Sequence, residues 1–350
     1  MIDRNNSWQG FPPPAHLFYS RRCLGVALEP PDYLPGSWIG AGKAWYDSTI
    51  DKFYLTARPR KATGDVRGYA ANIYGSANGV DFELISAIPI EEVNELADVS
   101  VHSIEGSQLL RDPSTGRWYF YLSVDTGESF VWGGVQWETM IFSAHQLSGP
   151  WAYEGFALRN DSALDEHQAR DASMEIVDGR WLSIYKAKDA NRDERPCLAV
   201  SSDGLHWTKR GALSIDGNEA ISFLNGSLFA SGSGPVFIGI RTRLEDSRKR
   251  KQDVVYADSH GIGHGGGPRP EFVAYHLDIQ SLNLETLFTA PWYGLSPYEH
   301  PEHPLLGYSS IAWDTKRDRF LFYTEAIDPT LTEAIGINST VERLLVYEMG

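Results

Sequence analysis

Acidic residues open several of the apolar, strand-forming runs in this 350-residue sequence. Glu105 precedes Gly106-Ser107, Asp171 follows Arg170 and precedes Ala172-Ser173-Met174, and Glu219 precedes Ala220-Ile221. Three carboxylates brought to one mouth suit cleavage of a glycosidic bond. One protonated acid donates to the leaving oxygen, and one carboxylate activates water or attacks the anomeric carbon. A third keeps the acid protonated by like-charge repulsion. On this reading Asp171 orients or sets the pKa, while Glu105 and Glu219 form the acid/base pair. An acid at a strand end is often just an ion-pair partner; the shared phase of the three argues for chemistry.

Cations gather near the same positions: Lys43, Arg58, Arg60, Arg170, Lys186 and Lys188. They fit a carboxylated sugar, a phosphate on the substrate, or an attacking phosphate, or they balance the carboxylates. Six residues past the Lys, Arg or Ser that opens each return strand lie Arg58, Ser123, Lys186, Ser233 and Glu325, a ring with no apolar member. Lys43, Arg58, His102, Arg170, Lys186 and Glu325 are therefore the candidate substrate-binding residues. No Cys/His spacing suits zinc, so neither a catalytic metal nor a cofactor is expected.

These residues need elements to hold them, and the turns supply the outline. Hairpins are expected at Gly42–Arg60, Glu105–Asp125, Arg170–Lys186, Glu219–Gly232 and Ser309–Ala326. Their turns are placed at Asp47 to Asp51, Asp112 to Gly116, Asp178-Gly179, Asn225-Gly226 and Asp314 to Asp318. Asp-Gly and Asn-Gly pairs between apolar runs favour tight hairpins because they tolerate positive φ. Third strands should end at Gly75–Phe82, Ser143–Trp151 and Ser201–Trp207, each closed by an aromatic, with an outer strand such as Phe272–Leu277 beyond. About five four-stranded units predict an all-β fold, a five-bladed β-propeller. One short helix is expected at Ile90–Leu96. Residues 1–37 read as an arm followed by a strand, Leu17–Leu28, that could complete the last blade. Residues 38–350 read as the propeller, with an inserted loop near 246–270.

Composition narrows the partners. The net charge of −15 argues against nucleic acid and anionic membranes. Apolar residues make up 42%, enough for a large core, and the 11 Trp, 17 Tyr and 15 Phe suit strands and the flat faces of sugars. The start, Met1 to Asn6, lacks the pattern of a signal peptide, and no apolar run reaches membrane-spanning length. The expectation is a cytoplasmic chain with a carbohydrate partner; oligomeric state is not legible.

The Glu105-Gly106-Ser107 start with Trp118 to Ser123, the Ser148-Gly149-Pro150-Trp151 turn, and Asp171 followed by Asp178-Gly179-Arg180-Trp181 together resemble the five-bladed propeller glycosidases. That superfamily includes glycoside hydrolase families 43, 32, 117 and 130. Arg170-Asp171 is similar to the Arg-Asp pair of the fructosidase branch, where the Asp stabilises the transition state. Glu105-Gly106 is similar to the general-acid motif of the arabinanase and xylosidase branch. The usual Asp of the first blade is missing, since Gly40-Ala41-Gly42-Lys43 stands there, so the triad is read as displaced by one blade. The resemblance implies a glycoside hydrolase acting on a terminal or small sugar unit. A phosphorylase or transferase using the cationic ring, and a non-catalytic carbohydrate-binding propeller, are the alternatives.

Overall fold

The computed structural model describes residues 12–34, 36–61, 68–127, 136–191, 193–243, 271–292, 296–299, 308–329 and 341–350. The loop expected near 246–270 lies outside them.

In chain order the first elements are α1 (Pro14–Ser20), β1 (Arg22–Leu28), β2 (Trp38–Gly40), β3 (Ala44–Asp47), β4 (Lys52–Arg60), β5 (Ala70–Ser76), β6 (Glu83–Pro89) and α2 (Ile90–Ala97). Next come β7 (Ser103–Arg111), β8 (Trp118–Asp125), β9 (Trp137–Ala144), β10 (Ala152–Leu158), β11 (Gln168–Val177), β12 (Arg180–Lys188), β13 (Glu194–Ser201) and β14 (Trp207–Ala212). The rest are β15 (Ser214–Ile215), β16 (Asn218–Glu219), β17 (Ser222–Ser231), β18 (Gly234–Arg243), β19 (Glu271–Asp278), β20 (Asn283–Pro291), β21 (Ser309–Asp314), β22 (Arg319–Ile327) and β23 (Glu342–Met349).

The strands pair as consecutive antiparallel groups: β3 to β6, β7 to β10, β11 to β14, β17 to β20, and β21 to β23 completed by β1. We number these units one to five. The β1–β23 ladder ties the start of the chain to its end. Short parallel bridges join neighbours, Trp38 to Glu342 between units five and one, and Gln168 to Trp137 between units three and two.

Apolar residues on both faces of each unit explain the stacking. Phe120 and Phe142 pack with Tyr54 and Ile73 between units one and two, and Tyr121 packs with Trp181 and Cys197 between two and three. Leu182 meets Phe237 between three and four, Phe272 meets Phe322 between four and five, and Tyr323 and Leu345-flanking Val346 meet Phe53 between five and one. Phe120 is fully buried, so its truncation to Ala would cost about 3–5 kcal/mol. The innermost strands β3, β7, β11, β17 and β21 all line one cavity of about 450 Å³, through residues including Trp45, Gln108, Glu175, Leu228 and Trp313.

Turn chemistry is followed closely in units one, two, three and five. In unit three Asp178 and Gly179 adopt φ of 51° and 75°, the left-handed values a two-residue hairpin requires. Unit four differs from expectation. Asn225-Gly226 lies inside β17, and the chain turns instead at Ser231 to Gly234, where Gly234 has φ 122°. Gly226 faces Gly239, and a β-carbon at Gly226 would overlap the Ile238 carbonyl, so this glycine serves close backbone approach rather than a turn. The segment Phe272–Leu277 falls in β19, the third strand of its unit; the outer strand is β20. At the N-terminus, Leu17 to Ser20 belong to α1, where Pro14 occupies a first-turn position and Leu17 and Phe18 are buried. The expected helix over Ile90–Leu96 is α2, one residue longer.

Candidate functional site

The site is built on two backbone bulges. β7 pairs regularly with β8 except between Ile104 and Ser107, and β11 with β12 except between Arg170 and Ser173. Glu105 and Asp171 sit in those interruptions, which turn their side chains out of the pleat. Asp171 holds φ 54°, a conformation that Asp tolerates better than most residues. Its amide donates to Ser123 Oγ at 2.9 Å.

The Asp171 carboxylate is surrounded by donors. Oδ1 accepts the Gly106 amide at 3.2 Å, which places Asp171 beside the residue following Glu105. Oδ2 accepts the Tyr308 hydroxyl at 3.1 Å and lies 3.3 Å from Lys186 Nζ and 3.5 Å from Arg170 Nε. Arg170 stacks over Trp137 at 4.3 Å, and Lys186 lies over Phe223 at 4.5 Å, so aromatic faces fix both cations. Burial, reinforced by Arg170, lowers the Lys186 pKa. Burial also opposes the Arg170 charge, but Asp171 outweighs it and raises that pKa.

Glu105 is paired with Arg58, whose side chain is only 1% exposed. Arg58 resists the cost of its burial because Glu105 and then Glu325 hold its charge. Tyr308 is held to Asp171 by its hydroxyl. Burial and then the Asp171 charge push its phenol well above the usual value, with Glu105 also acting on it. Glu325 is buried, with Oε1 accepting the Ala41 amide at 2.8 Å and Oε2 the Tyr308 amide at 3.0 Å. Burial pushes its carboxyl up to about 7 against the opposing pull of Arg58 and the two amides. The arrangement supplies two acids on adjacent bulges, a third carboxyl able to hold a proton near neutrality, and cations that favour accumulating negative charge.

The comparisons address the fold. Neither a protein-family match nor a curated-protein match is found. Among solved structures, the chain is similar to Zg3597, a family 117 glycoside hydrolase from the marine bacterium Zobellia galactanivorans. The TM-score is 0.55 at 12% identity, covering 94% of this chain and 90% of that one. It is similar to sucrose-6-phosphate hydrolase from Lactobacillus gasseri, with TM-score 0.62 and 13% identity over 91% of this chain and 59% of that one. A third match, described under the GH130 family of mannoside phosphorylases and glycoside hydrolases, has TM-score 0.54 and 10% identity over 92% of this chain and 94% of that one. The chain shares its fold with these glycosidases. The resemblance read from the sequence motifs therefore holds at the level of fold.

The expected site residues divide. Glu105, Asp171, Arg58, Arg170, Lys186 and Glu325 come together as described. Glu219 does not open an inner strand. It lies on β16, at the opposite edge of its sheet from the innermost strand β17. Its side chain is 65% exposed and ion-paired with Arg195. The reason is the misplaced hairpin: with Asn225-Gly226 inside the strand, the inner strand starts at Ser222 and brings Asn225 against Lys43 and Ser309. Lys43 is buried, with Nζ donating to Asn225 Oδ1 at 2.9 Å, Gly226 O at 2.8 Å and Ser309 O at 3.2 Å. All three of its donors meet protein acceptors, which makes it a strut between units one, four and five rather than an arm for ligand. His102 is half-buried just ahead of β7, its amide donating to Asp125 O at 2.8 Å. Ser233 falls in the β17–β18 turn, away from the end of a return strand. Tyr308 falls in the segment Gly307 to Ser310, which the sequence pattern places at the start of the fifth inner strand, but it was not singled out as a site residue. Sequence reasoning also missed Glu194, which pairs with Lys188 at 2.7 Å. Among the described residues no group of three or more His, Cys, Asp or Glu could hold a metal ion. No described helix is long and apolar enough to cross a membrane.

Proposed function

We propose that the chain is a glycoside hydrolase, built as a five-bladed propeller, acting on a terminal or small sugar unit at one end of its axis. The observation that carries this reading is the meeting of Glu105 and Asp171 on adjacent bulges, enclosed by Arg58, Arg170, Lys186 and Tyr308. The five antiparallel units, with core clusters between each successive pair and between last and first, support the closed ring. The fold is shared with proteins named as glycoside hydrolases.

Asp171, held by Lys186, Arg170 and the Tyr308 hydroxyl, orients the substrate and stabilises positive charge developing on the sugar ring. Glu105 is the acid/base, its proton balance set by Arg58 on one side and by neighbouring carboxyls on the other. Glu219 has no place in this pair.

A second reading, phosphorolysis, is favoured by one feature: three buried cations, Arg58, Arg170 and Lys186, surround two acids. Inorganic phosphate would then replace water as the attacking group. A panel of nitrophenyl glycosides, assayed with and without inorganic phosphate, tests both. Release of nitrophenol without phosphate, lost in Glu105→Gln and Asp171→Asn, supports hydrolysis. Turnover only with phosphate moves the assignment to a phosphorylase. Sugar binding without turnover would leave a carbohydrate-binding propeller.

A further inference from the structure

Three positions share one register. Gly40 pairs with Arg58 as Arg170 pairs with Lys186, and each pairing is followed by a break in the ladder. Ala41 therefore occupies in unit one the position of Asp171 in unit three and of Glu105 in unit two. The backbone agrees, with φ 56° at Ala41 and 54° at Asp171. Unit one thus keeps the bulge, including a left-handed conformation unfavourable for Ala, without the acid.

A carboxylate nevertheless reaches this place from the neighbouring unit. Ser123 on β8 accepts the bulge amide of Asp171, and Glu325 on β22 accepts the bulge amide of Ala41 in the same way. Serine suffices for that bond. A carboxyl that is 3% exposed is a costly alternative for the same task. Gly40 makes room for it, since a β-carbon there would overlap the Glu325 side chain.

The groups facing Glu325 are Arg58 on β4, Glu105 on β7, the Tyr308 amide ahead of β21, and Lys43, which senses both Glu325 and Asp171. Arg58 is common to Glu105 and Glu325. We propose that Glu325 fills the place of the acid missing at position 41, as a positioning residue that shares Arg58 with Glu105 and sets the charge state in which Glu105 works. The proposal rests on the hydrolase reading for its consequence. Ionised Glu325 disfavours a second negative charge at Glu105 and keeps Glu105 protonated to higher pH; protonated Glu325 leaves Arg58 to Glu105 alone. The two titrate as a pair. Burial, which pushes Glu325 to about 7, places that change near neutrality.

The test uses Glu325→Gln and Glu325→Ser, the latter reproducing the residue that does the same capping in unit two. In both, the alkaline limb of the pH–rate profile should move to lower pH by about one unit, the size of a typical charge-neighbour effect. A limb that stays in place in both variants overturns the proposal and leaves Glu325 as a cap. A second readout does not need turnover. With carboxyl-labelled glutamate, carbon-13 NMR of the wild-type protein should show two glutamates titrating near neutral pH, because burial pushes Glu175 as well as Glu325 to about 7, and one of the two should be absent from Glu325→Gln. Survival of both resonances in that variant, or the lack of any such titration in the wild type, also overturns the proposal. A wild-type protein inactive on every glycoside removes the hydrolase reading, and the NMR result then decides the Glu325 assignment by itself.

Discussion

Ala41 and Asp171 have the same place in their units and nearly the same φ, 56° and 54°, yet they belong to different kinds of region. Around Asp171, carboxylates and cations face one another: Glu105 with Arg58, Asp171 with Arg170 and Lys186. Around Lys43, two residues beyond Ala41, the polar groups of units one, four and five are consumed by the fold. Lys43 spends its three donors on Asn225, Gly226 and Ser309, and Asn225 Oδ1 also accepts the Ser309 amide at 2.7 Å. Polarity where the units meet is therefore not itself a sign of function. A cation bound by neutral acceptors ties units one, four and five together, whereas charges of both signs in contact can tolerate a proton or a charged transition state.

The comparison breaks most sharply at Asp171. Asp171→Asn should lower kcat by about 10²–10⁴-fold, the range for an essential charged or acid/base group, while far-ultraviolet circular dichroism stays unchanged. Full activity in this variant would mean that the unit-two and unit-three bulges are as structural as that of unit one.

Arg58 should show its importance in stability. Arg58→Met leaves Glu105 buried without its partner and is expected to cost about 3–5 kcal/mol in denaturant unfolding. Combining it with Glu105→Gln should recover part of that loss, because the unpaired charge is gone. Additive losses would show that the pair is not coupled.

Glu325 gives a pH signature. Its folded-state carboxyl is raised from 4.5 to about 7 by burial, so between these values the folded protein binds more protons than the unfolded chain. Stability contributed by the protonated form is complete below about 4.5 and falls as pH rises through about 7. Urea midpoints measured from pH 4.5 to 8 should therefore decline more steeply in the wild type than in Glu325→Gln. Parallel curves would remove the raised carboxyl.

How much of this was legible follows from particular residues. The hairpins at Asp112 to Gly116, Asp178-Gly179 and Asp314 to Asp318 could be read because their turn residues have no other use there. Asn225-Gly226 carried the same signature for a different reason, the close approach of β17 to Gly239 on β18, and that ambiguity moved Glu219 onto an inner strand it does not occupy. Glu105, Asp171 and the polar ring through Arg58, Lys186 and Glu325 were visible as residues in phase with the strands. Which of them meet was not, because the bulges and the cross-unit contacts to Arg58 and Tyr308 join residues far apart in sequence.

Lys43 tests the region held by neutral acceptors. Lys43→Met removes the donor from three buried acceptors and should cost about 1–3 kcal/mol, with kcat in the folded fraction and the pH profile unchanged. A larger effect on kcat than on stability would return Lys43 to the substrate side of the comparison.

The smallest effect is expected at Glu219. Its side chain is 65% exposed, its ion pair with Arg195 is screened by solvent, and Arg195 keeps Asp189 at 3.3 Å and Asp193 at 3.4 Å as further partners. Exposed pairs of this kind contribute about 0–1 kcal/mol. Glu219→Gln should therefore leave the unfolding midpoint and kcat almost unchanged, in contrast to Glu105→Gln. A loss of turnover in Glu219→Gln comparable to that of Asp171→Asn would mean that the rim of unit four joins the site during catalysis. The division between the charged groups around Glu105 and Asp171 and the neutral struts around Lys43 would then fail at the one acid that the strand pattern had placed on an inner strand.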